Sequence, residues 1–162
     1  MGARVEIGAT ALAAGAVLWV ALIVSAPLAI ASTERAVAMG AAIVYGAGAR
    51  VCHQRPERCF WTAGRPLPVC ARCTGLYAGG AIGASAALLL GSALSSRRAR
   101  VLALLAALPT LATWSLEAAS LAHPSNIVRA IAALPLGLVA AWLVITALVH
   151  EPPHVRADDR MP

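Results

Sequence analysis

Long apolar runs separated by short polar breaks dominate the pattern along this chain. Four runs carry at most one charge and are long enough to cross a bilayer: residues 7–33, 74–96, 101–121 and 127–149. A spanning helix needs about 20 predominantly apolar residues. The pattern therefore predicts an all-α fold, a polytopic transmembrane helix bundle with about four spanning helices.

A fifth apolar run, residues 36–49, is too short for an ordinary span and contains three glycines, which weaken a helix. We expect a short helix here, either a tilted span, a re-entrant helix or a helix at the membrane surface. The first run ends in Ala29-Ile30-Ala31, which resembles a signal-peptide cleavage site. Its apolar part exceeds the roughly 7–15 residues of a signal peptide, so an uncleaved first helix is the expectation.

The polar segments divide the chain into a single membrane domain, residues 1–149, and a tail. Residues 50–74 form a polar loop in which three prolines prevent a continuous helix. Residues 95–100 are predicted to be a tight basic turn, and the polar residues 150–162 a disordered tail. The loop and the basic turn fall on opposite sides of the membrane. Both segments are rich in arginine, so the positive-inside rule does not decide which of them faces the cytoplasm.

Composition agrees with a membrane protein and disfavours nucleic-acid binding. Hydrophobic residues make up 60% and charged residues 12%, whereas soluble domains carry about 25% charged residues. All 13 basic residues are arginines in short segments beside apolar runs, and the net charge is +6. We interpret them as anchors that meet lipid headgroups. We expect a multi-pass protein of the prokaryotic cytoplasmic (inner) membrane, with the bilayer, a lipid headgroup or a membrane protein as partner.

All four cysteines lie in the polar loop and its end, between residues 52 and 73. Cys70 and Cys73 have the two-residue spacing with which thiolates bind one zinc ion from a tight turn. We predict a zinc site in which Cys52 is the third ligand and either His53 or Cys59 is the fourth. Zinc would order a proline-rich loop that has no core of its own. Such a site would serve a binding or scaffold module, or a metal-dependent membrane enzyme.

The same cysteines also suit thiol–disulfide chemistry without a metal. A Cys-x-x-Cys at a helix start places its first thiol near the positive end of the helix dipole, which lowers the thiol pKa. Cys52 and Cys59 would form a second pair that exchanges disulfides with it. This layout is similar to that of quinone-linked membrane disulfide oxidases, so a quinone is the cofactor under this alternative. The sequence leaves the protein's status as an enzyme open.

Two charges, Glu117 and Arg129, lie inside apolar runs. The turn at residues 123–126 makes their helices antiparallel neighbours, so both charges fall near the cysteine loop. A charge within the membrane costs about 2.5–3.5 kcal/mol even on insertion scales, and we therefore expect an ion pair. The pair would join a polar cluster that suits an anionic or lipid-headgroup ligand. Its other members are Glu57, Arg58, Ser125 and Asn126.

Three glycines recur every four residues at the start of residues 74–96, the first long apolar run after the loop. Gly75, Gly79 and Gly83 share one helix face, as in small-xxx-small motifs that allow two helix backbones to approach closely. We predict that this face packs against another helix.

Three segments together resemble the motif of a small bacterial and archaeal membrane-protein family, domain-of-unknown-function family 2085. They are Cys52-His53-Gln54, Pro56-Glu57-Arg58 and Leu67-Pro68-Val69-Cys70-Ala71-Arg72-Cys73-Thr74-Gly75. The resemblance extends over roughly residues 38–145, with a weaker match at residues 113–117 and 125–129. It implies that Gln54 and Arg72 are also functional candidates.

The chain departs from this family pattern at three positions. The family usually has serine at Cys59, which implies that Cys59 is not an essential ligand. The resemblance therefore favours His53 as the fourth ligand, with Cys59 as a substitute, and weakens a two-pair redox scheme. The family's aspartate and glutamine are Thr113 and Glu117 here. The resemblance implies functional positions but no activity.

Overall fold

The structure is a computed structural model that describes residues 2–91 and 94–149, with side chains from residue 5 onward. Five α-helices lie in this described part. They are α1 (Gly2–Ala29), α2 (Arg35–Val51), α3 (Ala71–Leu90), α4 (Ser96–Ala118) and α5 (Asn126–Val149). The predicted disordered tail, residues 150–162, lies outside the described residues.

Four helices, α1, α3, α4 and α5, are long and apolar enough to cross a membrane. The predicted all-α multi-pass fold is therefore confirmed. The fifth helix, α2, has 17 residues and is shorter than the other four. The predicted basic turn at residues 95–100 was wrong, because α4 already begins at Ser96. Arginine is a good helix former, so the basic residues continue the helix instead of interrupting it.

The closest helix contact joins α3 to α5. A Cβ atom added at any of the three regularly spaced glycines of α3 would collide with the α5 backbone. These glycines, Gly75, Gly79 and Gly83, face Ala130, Leu134 and Leu138 respectively. Gly137 of α5 meets the α3 backbone at Leu76 in the same way. Because glycine has no side chain, the backbones of α3 and α5 can touch at these positions. Close approach of this kind is the usual basis of tight helix packing in lipid.

The other helices and the loop pack around this pair. α1 lies against α3, where the rings of Trp19 and Tyr77 meet edge to face with centroids 6.1 Å apart. α4 packs against α5. The loop between α2 and α3 buries Leu67 and Val69 in a cluster with Ile23 of α1. These contacts hold the loop at the end of the bundle where α3 begins.

The loop contains a short 3-10 helix, Pro56–Arg58, and a hairpin of β1 (Trp61–Thr62) and β2 (Arg65–Pro66). The two residues between the strands, Ala63 and Gly64, both have positive φ, at 52° and 72°. Such a pair of φ values is typical of the type I′ turn, whose twist matches a two-stranded hairpin. The loop is therefore an ordered unit.

Candidate functional site

Three of the four cysteines converge where the loop meets α3. The Sγ atoms of Cys52, Cys70 and Cys73 all lie within 4.8 Å of one another. Cys52 caps the C-terminus of α2, Cys70 caps the N-terminus of α3, and Cys73 lies in the first turn of α3. Tetrahedral zinc with Zn–S bonds of about 2.3 Å places its sulfur atoms about 3.8 Å apart. The three thiols could therefore hold a thiolate-binding metal if their sulfur atoms moved about 1 Å closer together.

Hydrogen bonds connect these thiols, and one of them favours the deprotonated form of Cys70. The backbone N–H of Cys70 donates to the Sγ of Cys52 at 3.1 Å. A hydrogen bond from the Cys73 thiol lowers the pKa of Cys70 to about 5, despite the opposing effect of burial. The thiolate is both the metal ligand and the nucleophile in cysteine chemistry. The site can therefore supply at least one anionic sulfur at neutral pH.

The fourth cysteine, Cys59, does not belong to this group. It is buried, and its thiol donates to the backbone carbonyl of Arg55 at 3.2 Å. Burial raises the pKa of Cys59 to about 11, so this thiol is neutral at pH 7. His53 is exposed, and its ring nitrogens also lie outside the group of three sulfur atoms in the described part of the chain.

Gln54 ties the two cysteine-bearing ends of the loop together. Its backbone has a φ of 48°, a region that non-glycine residues rarely adopt. Its side-chain amide donates to the carbonyls of Tyr45 at 2.8 Å and Pro68 at 2.7 Å. These bonds connect the segment of Cys52 to the residues just before Cys70. The sequence singles out Gln54 only through the family motif, because a bridge between two backbone carbonyls has no local pattern.

Glu117 lies at the centre of a second cluster beside the thiols. Its carboxylate is bonded to the guanidinium groups of Arg129 at 2.8 Å, Arg58 at 3.0 Å and Arg72 at 3.1 Å. The Glu117 side chain is only 8% exposed. The four residues come from α4, α5, the loop and α3, so one carboxylate joins four parts of the molecule. The predicted pair of Glu117 with Arg129 is present, and the structure adds Arg72 to it.

Asn126, at the start of α5, links the arginine cluster, which is Glu117 with its three bonded arginines, to the loop. Its Nδ2 donates to the carbonyls of Cys59 at 3.0 Å and Glu57 at 3.4 Å, and its Oδ1 accepts from Arg129 at 2.8 Å. Ser125 accepts a hydrogen bond from a backbone amide in the first turn of α5. The Glu57 side chain is exposed and forms no ion pair within the described residues.

A cavity of about 290 Å³ lies between the thiols and the arginine cluster. Four arginines line it: Arg55, Arg58, Arg72 and Arg129. The remaining lining residues are Cys52, His53, Gln54, Cys70 and Trp114. The thiol cluster and the charged cluster therefore share one cavity.

Comparisons with known proteins match this part of the chain. A family model described as "Predicted membrane protein (DUF2085)" matches residues 52–143, from Cys52 to beyond Arg129. An uncharacterized protein of Methanothermobacter thermautotrophicus is 33% identical over 93 residues, which cover 57% of this chain and 83% of that protein. An uncharacterized protein of Methanocaldococcus jannaschii is 42% identical over 40 residues, 25% of this chain and 26% of that protein. No solved structure matches the chain.

Proposed function

Because this chain belongs to the family of predicted membrane proteins DUF2085, we propose that it is a zinc-binding protein of the prokaryotic cytoplasmic membrane. The observation that carries the proposal is the convergence of three thiols within 4.8 Å at the start of a predicted span. Thiolate-rich sites of this kind suit zinc. The backbone N–H of Cys70 also donates to the Sγ of Cys52, which holds these two residues together.

Cys52, Cys70 and Cys73 hold the ion in this proposal, and His53 is the fourth ligand. His53 follows Cys52 directly and lines the same cavity as Cys52 and Cys70. Cys59 remains a neutral thiol bonded to a carbonyl. With four protein ligands the ion is structural and fixes the loop to α3. With water in place of His53, zinc would supply a Lewis acid for hydrolytic chemistry.

Metal analysis of the full chain tests this proposal. Protein purified in detergent without oxygen or chelator should contain about one zinc ion per chain. Cys70→Ser and Cys73→Ser should lose the ion, whereas Cys59→Ser should retain it as the matched control. Loss of zinc in His53→Ala would support a four-ligand structural site. Retention of zinc in that variant would indicate a position open to the cavity. Metal-free wild-type protein would contradict the proposal.

A second candidate function is thiol–disulfide exchange, and one observation favours it. The pKa of Cys70 is lowered to about 5 by the hydrogen bond from Cys73, the arrangement of a nucleophilic and a resolving thiol. Oxidation of the Cys70 thiolate and the Cys73 thiol to a disulfide would release one proton and two electrons. A membrane quinone would accept the two electrons and take up two protons to become the quinol. Under this alternative Cys73→Ser would trap a mixed disulfide with Cys70 and leave the fold intact.

A further inference from the structure

The cavity beside the thiols carries an excess of positive charge. Four guanidinium groups line it, and none of its lining residues, all within the described part of the chain, is acidic. Glu117 is bonded to three of these arginines and neutralises one positive charge. A zinc ion on three thiolates carries a net charge of −1. Two positive charges therefore remain even with the metal in place.

From this cluster we propose that the cavity binds a dianionic phosphate group, either free phosphate or the phosphomonoester headgroup of a lipid. The inference goes beyond the proposed zinc site, because it rests on the arginines and not on the thiols. Arginine binds phosphate through two parallel N–H bonds from its planar fork. A phosphate monoester carries about −1.5 to −2 charges at pH 7, which matches the excess charge.

The arginines are held in place before any ligand binds. Arg129 donates to Glu117 and to Asn126, both at 2.8 Å, and Arg72 donates to Glu117 at 3.1 Å. These bonds fix two guanidinium groups whose flexible side chains would otherwise lose entropy on binding. The carboxylate lies outside the cavity lining, so it orients the arginines without occupying the space for an anion.

Two donors in this cluster have no partner among the described residues. The Nε atoms of Arg72 and Arg129 are buried without a hydrogen bond. Arg129 is only 9% exposed, so solvent reaches little of it. Buried polar groups in native proteins nearly always have a partner. Each Nε atom exposes less than 1 Å² of surface, so a phosphate oxygen in the cavity, which both residues line, would reach it only when the guanidinium group turns toward the cavity.

The size and the position of the cavity agree with a headgroup. Its volume of about 290 Å³ lies at the small end of ligand pockets, which run from about 300 to 1,000 Å³. It opens at the end of the bundle where α3 and α5 begin and α4 ends. Trp114, on its wall, is 57% exposed, as is typical of tryptophan at a membrane interface.

Calorimetric titration of the full chain in detergent tests the proposal, with inorganic phosphate and short-chain phosphatidic acid as probes. The test variant is Arg55→Gln, because Arg55 lines the cavity, is exposed and forms no ion pair with another described residue. The matched control is Arg65→Gln, which removes an equal charge from the same loop outside the cavity. Circular dichroism checks that both variants fold. A third variant, Arg55→Lys, retains the positive charge but lacks the planar guanidinium group.

We expect Arg55→Gln to weaken binding about tenfold, Arg55→Lys to weaken it less, and Arg65→Gln to change it by less than about twofold. Saturable binding of both probes would identify a phosphate site accessible from water. Binding of phosphatidic acid alone would identify a lipid-headgroup site. Binding of neither probe, or equal weakening by Arg55→Gln and Arg65→Gln, would overturn the inference. Zinc content is measured in the same samples, so that loss of phosphate binding can be distinguished from loss of the zinc site.

Discussion

Replacing Glu117 by glutamine is the sharpest test of how the site is held together. The carboxylate is bonded to three guanidinium groups at 2.8–3.1 Å and is 8% exposed. Glu117→Gln keeps the shape but leaves three positive charges beside one another. Breaking a buried ion pair by removing one partner costs about 3–5 kcal/mol. Because the Arg58 side chain is 37% exposed and partly solvated, we expect the lower end of that range, about 3 kcal/mol.

Thermal unfolding in detergent, followed by circular dichroism, measures this loss. In a chain of this size about 1 kcal/mol shifts the melting temperature by about 2–4 °C, so Glu117→Gln should lower it by about 6–12 °C. The matched control is Glu57→Gln, which removes an exposed carboxylate that forms no ion pair in the described part of the loop. We expect the control to lie within about 2 °C of the wild type, as surface substitutions usually do.

A double variant separates charge repulsion from a general packing defect. In the wild type, Arg58→Gln removes one attractive pair and should lower the melting temperature slightly. In the Glu117→Gln background the same change removes a repulsive charge and should raise it. Equal melting temperatures for Glu117→Gln and Glu57→Gln, or a lowering by Arg58→Gln in both backgrounds, would refute the reasoning.

Three further predictions concern packing and the metal site. Gly79→Ala places a Cβ against the carbonyl of Leu134 and should destabilise the protein by about 1–3 kcal/mol in detergent unfolding. Gly80→Ala, the matched control, meets only a contact at 3.9 Å and should be neutral or stabilising. Gln54→Leu leaves two carbonyls without their donor, and metal titration should show zinc affinity about 10–100-fold weaker, as for other supporting residues. Cys59, with a pKa raised to about 11, should be alkylated much more slowly than Cys70 in chelator-treated protein at pH 7.5, and its rate should rise as the pH approaches 11. Fast alkylation of Cys59, a Gly79 variant as stable as the Gly80 variant, or unchanged zinc affinity without Gln54 would each contradict its prediction.

Local sequence rules were enough for the helices and for part of the site. Each span was visible because a helix in lipid must satisfy its own backbone and expose apolar side chains over about 20 residues. The proximity of Cys70 to Cys73 follows from their two-residue spacing at a helix start. The glycine face of α3 followed from a repeat of four residues. These features depend on neighbours within one or two turns.

Other features depended on how distant segments pack. The sequence placed Cys52 among the ligands without showing how it reaches Cys70, and in the structure Gln54, bonded to Pro68, connects the two segments. Arg72 and Glu117 are 45 residues apart and meet because α3 and α4 both pack against α5. Cys59 likewise lies apart from the other three thiols because it is buried within the loop, where it is bonded to the carbonyl of Arg55.

Hydrophobic length, proline positions and short spacings specify the lipid-spanning helices, the polar loop and the residue types available for chemistry. Helix packing sets the distances between the thiols and brings four arginines around one cavity beside a single carboxylate. Charges and thiols act over only a few ångströms. The packing of helices, here set by the glycine contact between α3 and α5, decides which of them come within that range.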